Sequence, residues 1–332
     1  MWRETIIHSK DKENGWEDAA MSIGYACLTI GVPGTNLSRC ILRNATELNL
    51  RKIITANLLA LEAMIDYNIE NHIRLFRISS DIIPFASHPV NNILWWEDYK
   101  DLFLRIGKKI RNGRVRVSMH PGQYTVINSS DEKVVCNAIR ELEYHNRFLE
   151  VLGMDPSCKL ILHIGGVYNN KQKAMETFVN NYAKLDKSIR DRLVIENDDK
   201  NYTIEEVLAI SKETGAPVVF DNLHHEVNPP EKIQTETMWL QECAKTWGEG
   251  DGKQKIHYSL QKEGASVGSH SNTIYLSPFL KFYNKLPNKN IDLMLEVKDK
   301  NLSALKCNNI TAKGVPIESL NREWDRYKLL VL

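Results

Sequence analysis

The sequence predicts an α/β fold: a single (β/α)8 barrel of the TIM type, with polar residues gathered at the carboxyl ends of its strands. Three observations lead there. Short apolar runs, β-branched or Leu-rich, alternate with helical stretches eight times along the 332 residues; such runs mark strands buried on both faces. Five of the runs end in His, Asp or Glu: Val117-Ser118-Met119-His120, Leu160-Ile161-Leu162-His163, Leu193-Val194-Ile195-Glu196, Val218-Val219-Phe220-Asp221 and Met294-Leu295-Glu296. A sixth, Lys255-Ile256-His257-Tyr258, carries its His within the run. Eight βα units in about 280 residues match the barrel in length and number. An open doubly wound sheet is the alternative, but it would concentrate polar strand ends at one switch point. Gly24-Tyr25-Ala26-Cys27 after the first strand is also no G-x-G-x-x-G loop.

In chain order, strands are expected at 22–27, 73–79, 115–120, 159–164, 192–197, 217–221, 255–259 and 291–297. Helices are expected at 46–68, 96–111, 130–152, 171–189, 203–214, 231–246 and 275–286. In the first helix Leu48, Ile54, Leu58, Leu61 and Ile65 recur at helical spacing. Thr203 and Glu206 form a capping box, and Gly215-Ala216-Pro217 stops that helix and restarts a strand. The barrel domain is assigned to 21–300, between an N-terminal extension, 1–20, and a C-terminal extension, 301–332.

Apolar residues make up 42% of the chain, enough for one large core, and the net charge is +1. Bulk charge therefore argues neither for nor against nucleic acid; contact with DNA would come from local loops. The six cysteines are scattered without a C-x-x-C pair, as expected of reduced cytosolic thiols. No apolar run is long enough to span a membrane, and Met1 to Trp16 is too polar for a secretory signal.

Polar side chains at the carboxyl ends of barrel strands sit where such folds build their sites. His120, His163 and His257 with Glu196, Asp221 and Glu296 are a ligand set for a cluster of divalent ions. Any one of them has a plainer reading: a carboxylate can pair with Arg, and a rim His is often only a hydrogen-bonding group. All of those readings would have to hold at once. Asp221 opens Asp221-Asn222-Leu223-His224-His225, whose D-x-x-H spacing can turn both ends over the barrel mouth; His225 would then stand behind them. His88 and His270 lie in rim loops and can be ligands or can grip a phosphate. His8, His72 and His145 fall outside this geometry.

Lys255 precedes His257 by two and shares its side of the strand. It can be a cation for phosphate, a general acid, a carbamylated metal ligand, or a counter-charge for surplus carboxylates. After His120-Pro121-Gly122, the pair Gln123-Tyr124 is pushed above the site. An amide and an aromatic there can wedge into a base stack, unless the Tyr folds back onto the barrel. Trp95-Trp96 is expected to pack at a helix start, and Lys108-Lys109-Ile110-Arg111 with Arg114 to form a solvated basic face.

Taken together, these segments resemble the UV-damage DNA endonuclease family, itself similar in fold and metal ligands to the endonuclease IV enzymes. The resembling stretches are Gly24-Tyr25; Phe76-Arg77-Ile78-Ser79; Ile83-Pro84-Phe85-Ala86-Ser87-His88-Pro89; Ser118 to Tyr124; Leu162-His163-Ile164-Gly165-Gly166; Ile195-Glu196-Asn197-Asp198; Asp221 to Pro229; Lys255-Ile256-His257; and Glu296-Val297-Lys298. They run in order from about 22 to 300. The resemblance implies an enzyme nicking double-stranded DNA immediately 5′ to cyclobutane pyrimidine dimers and 6-4 photoproducts, leaving a 3′-hydroxyl and a 5′-phosphate. It implies no nucleotide cofactor, no membrane, and a monomer in the cytoplasm, on the nucleoid when acting. It implies a manganese cluster of three ions. Glu196 would bridge, sharing one ion with Asp221, His257 and Glu296; His120 and His163 would hold a second, His224 and His270 a third. Glu196, Lys255 and His257 would be catalytic, with Lys255 at the position of a carboxylated lysine. Gln123 and Tyr124 match the pair inserted at the damage, Tyr25 a lesion contact, and His88 a functional His. Thr29 stands where the family carries Asn. A lesion that already unstacks easily lowers the cost of opening the duplex, so abasic sites are expected substrates too. The competing readings are a metal-dependent sugar isomerase or epimerase on the same barrel, and a non-catalytic damage-binding module.

Overall fold

A computed structural model describes residues 21–314. Strands β1 (Ser22–Ala26), β2 (Leu75–Ile78), β3 (Arg116–Met119), β4 (Leu160–His163), β5 (Leu193–Glu196), β6 (Val218–Asp221), β7 (Gln254–Tyr258) and β8 (Ile291–Leu295) pair in sequence order into a closed parallel barrel. The helices are α1 (Glu47–Glu70), α2 (Trp95–Asp98), α3 (Lys100–Asn112), α4 (Glu132–Val151), α5 (Lys171–Lys184), α6 (Lys187–Arg190), α7 (Ile204–Thr214), α8 (Asn222–Val227), α9 (Glu236–Ala244), α10 (Leu276–Lys285) and α11 (Asn301–Lys313). No described helix is long and apolar enough to cross a membrane.

The strand period of two decides what enters the barrel. Ile161, Val194 and Val219 form one cluster inside it, and Ala26, Leu75 and Met294 another. Two positions further along, the inward residues are His163, Glu196, Asp221, Arg77 and Glu296, so one apolar layer carries the polar rim. Lower down, Arg116 closes the floor on Asp292, with Nη1 2.6 Å from Oδ2. The intervening residues of each strand face outward and pack with the helices in the main core.

Several expectations shift. The buried stripe of α1 is Leu50, Ile53, Ile54, Leu58, Leu61, Met64 and Ile65, whereas Leu48 is 83% exposed. The stretch expected as one helix over 96–111 breaks at Tyr99, and that over 171–189 breaks at the extended Leu185, after which Asp186 caps α6. The helix expected from 231 starts at Glu236, capped by Thr235. A short helix, α8, begins on the rim itself because the Asp221 carboxylate accepts from His224 N at 2.8 Å. The expected end of the barrel at 300 falls one helix short. α11 buries Ala304, Cys307 and Ile310, and Asn308 Nδ2 donates to Ile23 O at 3.0 Å, covering β1. The assigned extension 1–20, and the part of the other from 315 to 332, lie outside the described residues.

Candidate metal centre at the barrel rim

Seven inward side chains from seven strand ends meet at the mouth. Glu196 sits at their centre, fully buried. His120 Nε2 lies 3.1 Å and His163 Nε2 3.6 Å from its Oε2. His257 Nδ1 lies 2.6 Å from its Oε1 and 3.1 Å from Glu296 Oε1. Two sets of possible ligand atoms, each within 4.8 Å of one another, result: His120, His163 and Glu196; and Glu196, Asp221, His257 and Glu296. Glu196 belongs to both.

The donors fit divalent cations. Imidazole nitrogens mixed with carboxylate oxygens suit Mn²⁺, Zn²⁺ or Fe²⁺ better than an all-oxygen hard-ion site. Asp221 Oδ2 is buried without a hydrogen-bond partner, an acceptor left open toward the shared space. The backbone selects the ligating nitrogen in two histidines. His120 Nδ1–H donates to Pro121 O and His224 Nδ1–H to Asn197 O, both at 2.9 Å, while His120 Nε2 faces Glu196 Oε2 at 3.1 Å; metal-binding histidines are oriented by such bonds. His224 lies beside this group, 5.6 Å from His163 and 6.5 Å from His270 between ring centres. His270 Nδ1 is 3.7 Å from Glu296 Oε2. His224 and His270 are neighbours on the rim, but they do not converge with a third ligand as tightly as the two sets above.

Electrostatics match the geometry. Burial opposes the charge on Glu196, but the facing His257, His163 and His120 hold its carboxyl well below the usual range. Glu296 is likewise held low against burial, chiefly by Arg77 and His257. Burial raises Asp221, with His224 opposing and Glu196 adding to the rise. Burial pulls His163 down to about 4, so it is neutral and able to ligate. His224 rises to about 9, because Asp221, Glu196 and Glu296 outweigh its burial.

Other expected residues separate. Lys255 is fully buried below the ligand layer and its Nζ has no hydrogen-bond partner, which removes direct phosphate contact from its roles. Burial and the nearby Arg116 lower its ammonium to about 7. Tyr25, expected at the lesion, has the wrong strand parity. It is wholly buried, faces the helices, and spends its hydroxyl on Thr29 Oγ1 at 2.6 Å and Asn68 Oδ1 at 2.9 Å; Thr29 thus serves Tyr25, not a ligand. His88 is exposed and apart from the metal sets, its Nδ1 accepting from Val90 N at 3.0 Å. It lines a cleft of about 480 Å³ with Tyr124, Glu141, Ser87 and Phe85. Gln123 and Tyr124 are exposed, Tyr124 by 71%. The Tyr124 ring lies over Gly122, where a Cβ would come 2.4 Å from the ring, and its hydroxyl reaches the buried Glu141 carboxylate. Trp95 is buried as a helix-start packing residue. The expected basic face is partly spent on structure: Lys109 pairs with Glu62 and Asp66, and Arg111 caps Leu152 and Gly153.

Two residues lie outside the sequence argument for the site. Arg77 enters the rim from β2, with Nη1 2.6 Å from Glu296 Oε1; its position two past Leu75 is the available signal. His145 is buried in α4, its Nε2 2.9 Å from Ser80 Oγ, which itself lies 2.7 Å from His120 O. It supports the strand end that carries His120.

Fold and site define a class: a TIM barrel with a carboxylate shared between histidine-containing ligand sets, the equipment of a metal-dependent hydrolase. A protein-family model described as UV-endonuclease UvdE matches residues 22–320. A UV DNA damage endonuclease of Clostridium perfringens (strain 13 / Type A) is 43% identical over 316 residues, covering 94% of this chain and 76% of that protein. The crystal structure of SacUVDE superposes with a TM-score of 0.83 at 36% identity, covering 89% and 99%. The chain belongs to the UV DNA damage endonuclease family and is an endonuclease of DNA damage repair. Endonuclease IV from Thermus thermophilus, with a TM-score of 0.51 at 12% identity over 89% of this chain and all of that one, shares the fold. Family membership sets aside the sugar-isomerase and binding-module readings.

Proposed function

We propose that this rim hydrolyses the phosphodiester immediately 5′ to cyclobutane pyrimidine dimers, 6-4 photoproducts and abasic sites in double-stranded DNA, leaving a 3′-hydroxyl and a 5′-phosphate. The observation that carries the proposal is Glu196 shared between two ligand sets, with an exposed Gln123-Tyr124 pair on the loop that follows one of its partners, His120. The sets would hold divalent ions, manganese by preference. His120, His163 and Glu196 take one, Glu196, Asp221, His257 and Glu296 another, and His224 with His270 a third. Bound there, such ions neutralise the phosphate, lower the pKa of water and stabilise the leaving oxyanion. Glu196 keeps the sets in register as an anion, and Arg77 holds Glu296 in place. Lys255, its ammonium lowered to about 7, is roughly half uncharged amine near pH 7, and the amine is the form that carboxylation requires. Gln123 and Tyr124 wedge into the stack at the damage, where an already weakened step opens at least cost. The enzyme acts as a monomer in the cytoplasm, without a nucleotide cofactor.

The test is a nicking assay on a duplex with one defined thymine dimer, with Mn²⁺ or EDTA, beside an undamaged control. Metal-dependent cutting directly 5′ to the dimer is expected. Bound metal without such cutting would overturn the proposal.

A further inference from the structure

The loop after β3 and the loop after β4 repeat one device. In the first, His120 is followed by Gly122-Gln123-Tyr124 with the Tyr ring over the glycine. In the second, His163 is followed by Gly166-Val167-Tyr168, and the Tyr168 ring again covers the glycine two residues before it: a Cβ on Gly166 would meet ring atoms at 2.9, 3.1 and 3.3 Å. The two histidines are neighbours, 5.1 Å between ring centres, so the loops rise side by side from adjacent strands. Tyr168 is 45% exposed.

Its backbone is held in a conformation the side chain does not favour. Tyr168 has φ +46° and Asn169 φ +61°, two consecutive residues in the left-handed region. Asn tolerates that region; a bulky aromatic there is uncommon and strained. The strain persists because the preceding turn is clamped. Asn128 Nδ2 and the Tyr202 hydroxyl donate to Gly166 O at 2.7 and 2.9 Å, and Asn201 Nδ2 donates to Gly165 O at 3.0 Å. The following turn closes with Asn170 N donating to Val167 O at 2.8 Å. Three side chains thus fix a loop whose outcome is an aromatic ring presented at the rim beside a metal-ligand candidate. Strained residues persist where the surroundings over-determine them, and they cluster at ligand-binding positions.

We propose that Tyr168 is a second DNA-contacting aromatic, taking the face of a nucleobase on the strand that passes His163. The ring supplies a π face that any base can stack on, and the clamped turn keeps it from collapsing onto the barrel before DNA arrives. The inference rests on the reading of this rim as the duplex-binding face.

Duplex affinity separates the possibilities, measured by fluorescence anisotropy with a thymine-dimer duplex and an undamaged duplex. All proteins carry Glu196→Gln so that cutting does not intervene. Tyr168→Asn removes the ring while keeping a residue suited to the left-handed backbone, and Tyr168→Phe keeps the ring. Tyr168→Asn is expected to bind about ten-fold more weakly, with a melting temperature no lower than its parent. Tyr168→Phe is expected to stay within about two-fold. Unchanged affinity in Tyr168→Asn, while Tyr124→Ala binds more weakly, would overturn this inference alone. Equal losses in the Asn and Phe variants would place the effect on the hydroxyl and overturn stacking. A parent that binds neither duplex would overturn both this inference and the reading of the rim beneath it.

Discussion

The Arg77 guanidinium lies 2.6 Å from Glu296 Oε1 inside the barrel mouth, both side chains nearly excluded from water. Arg77 is thus the fixed cation of a rim otherwise built from groups that lose or gain protons. Without bound metal it is a principal counter-charge for Glu296. Breaking a buried pair on one side leaves the other charge stranded, which costs about 3–5 kcal/mol. Arg77→Met should therefore destabilise the metal-free protein by about 3 kcal/mol, and by markedly less when Mn²⁺ supplies the missing charge. Urea unfolding with Mn²⁺ and with EDTA checks this; equal losses in both would show that Arg77 does not share the task with metal.

Glu196 touches both ligand sets, so no substitution elsewhere should be as damaging. Glu196→Gln keeps the shape but removes the anion. Nicking should drop by about 10³-fold or more, because charge stabilisation in such a site supplies most of the acceleration. Damaged-duplex binding should remain measurable, since Gln123 and Tyr124 stand outside the sets. The comparison is single-turnover nicking against anisotropy on one duplex. Full activity in the variant would dismiss the shared-carboxylate centre.

His224 gives the site a pH signature. Its pKa is raised to about 9, burial being outweighed by Asp221, Glu196 and Glu296. An imidazolium cannot ligate, so metal must displace its proton. Affinity for an ion held by His224 should rise with pH toward 9, by up to about ten-fold per unit. For the metal-free fold the sign is opposite. A raised folded-state pKa gives stability that is complete below the unfolded value of about 6.5 and lost as pH rises through about 9. Melting temperatures of the parent minus those of His224→Gln, taken without metal from about pH 6 to 9.5, should shrink over that window. A flat difference would contradict the assignment.

Strand parity explains how much is legible in the sequence. The members of the two tight ligand sets all end apolar runs or lie within them, so their identities and their strands can be read directly, as can the capping box at Thr203, where both reciprocal bonds form. Parity also governs Arg77 and Tyr25, against the expectation for Tyr25: Arg77 follows Leu75 by two and enters, whereas Tyr25 sits between the inward Gly24 and Ala26 and faces out. Gly24 itself is demanded by packing, since a Cβ there would lie 2.0 Å from Leu75 O. Leu48 misleads because helical spacing alone cannot say where the first turn meets the core. The last helix, α11, is not legible because 301–313 intersperses Asn, Lys, Ser and Thr with its apolar residues, and its burial against β1 is a tertiary fact. Which nitrogen each histidine offers depends on carbonyls such as Asn197 O, which spacing does not reveal.

The last prediction concerns Gly122, whose backbone is ordinary but whose missing side chain is not. The Tyr124 ring occupies the place a Cβ would take, 2.4 Å away at its nearest ring atom. Gly122→Ala must therefore displace the ring and pull its hydroxyl from Glu141, while leaving Glu196 and the ligand histidines where they are. Metal content should be unchanged. The ratio of cutting on damaged to undamaged duplex should fall by about five-fold, the scale of one hydrogen bond and a misplaced ring contact. Tyr124→Ala, which removes the ring outright, should lower the ratio at least as far, again without loss of metal. Metal analysis and paired kcat/KM measurements on the two duplexes decide it. If Gly122→Ala loses metal in proportion to activity, the glycine serves the His120 turn; if the ratio holds in both variants, Tyr124 does not read the damage.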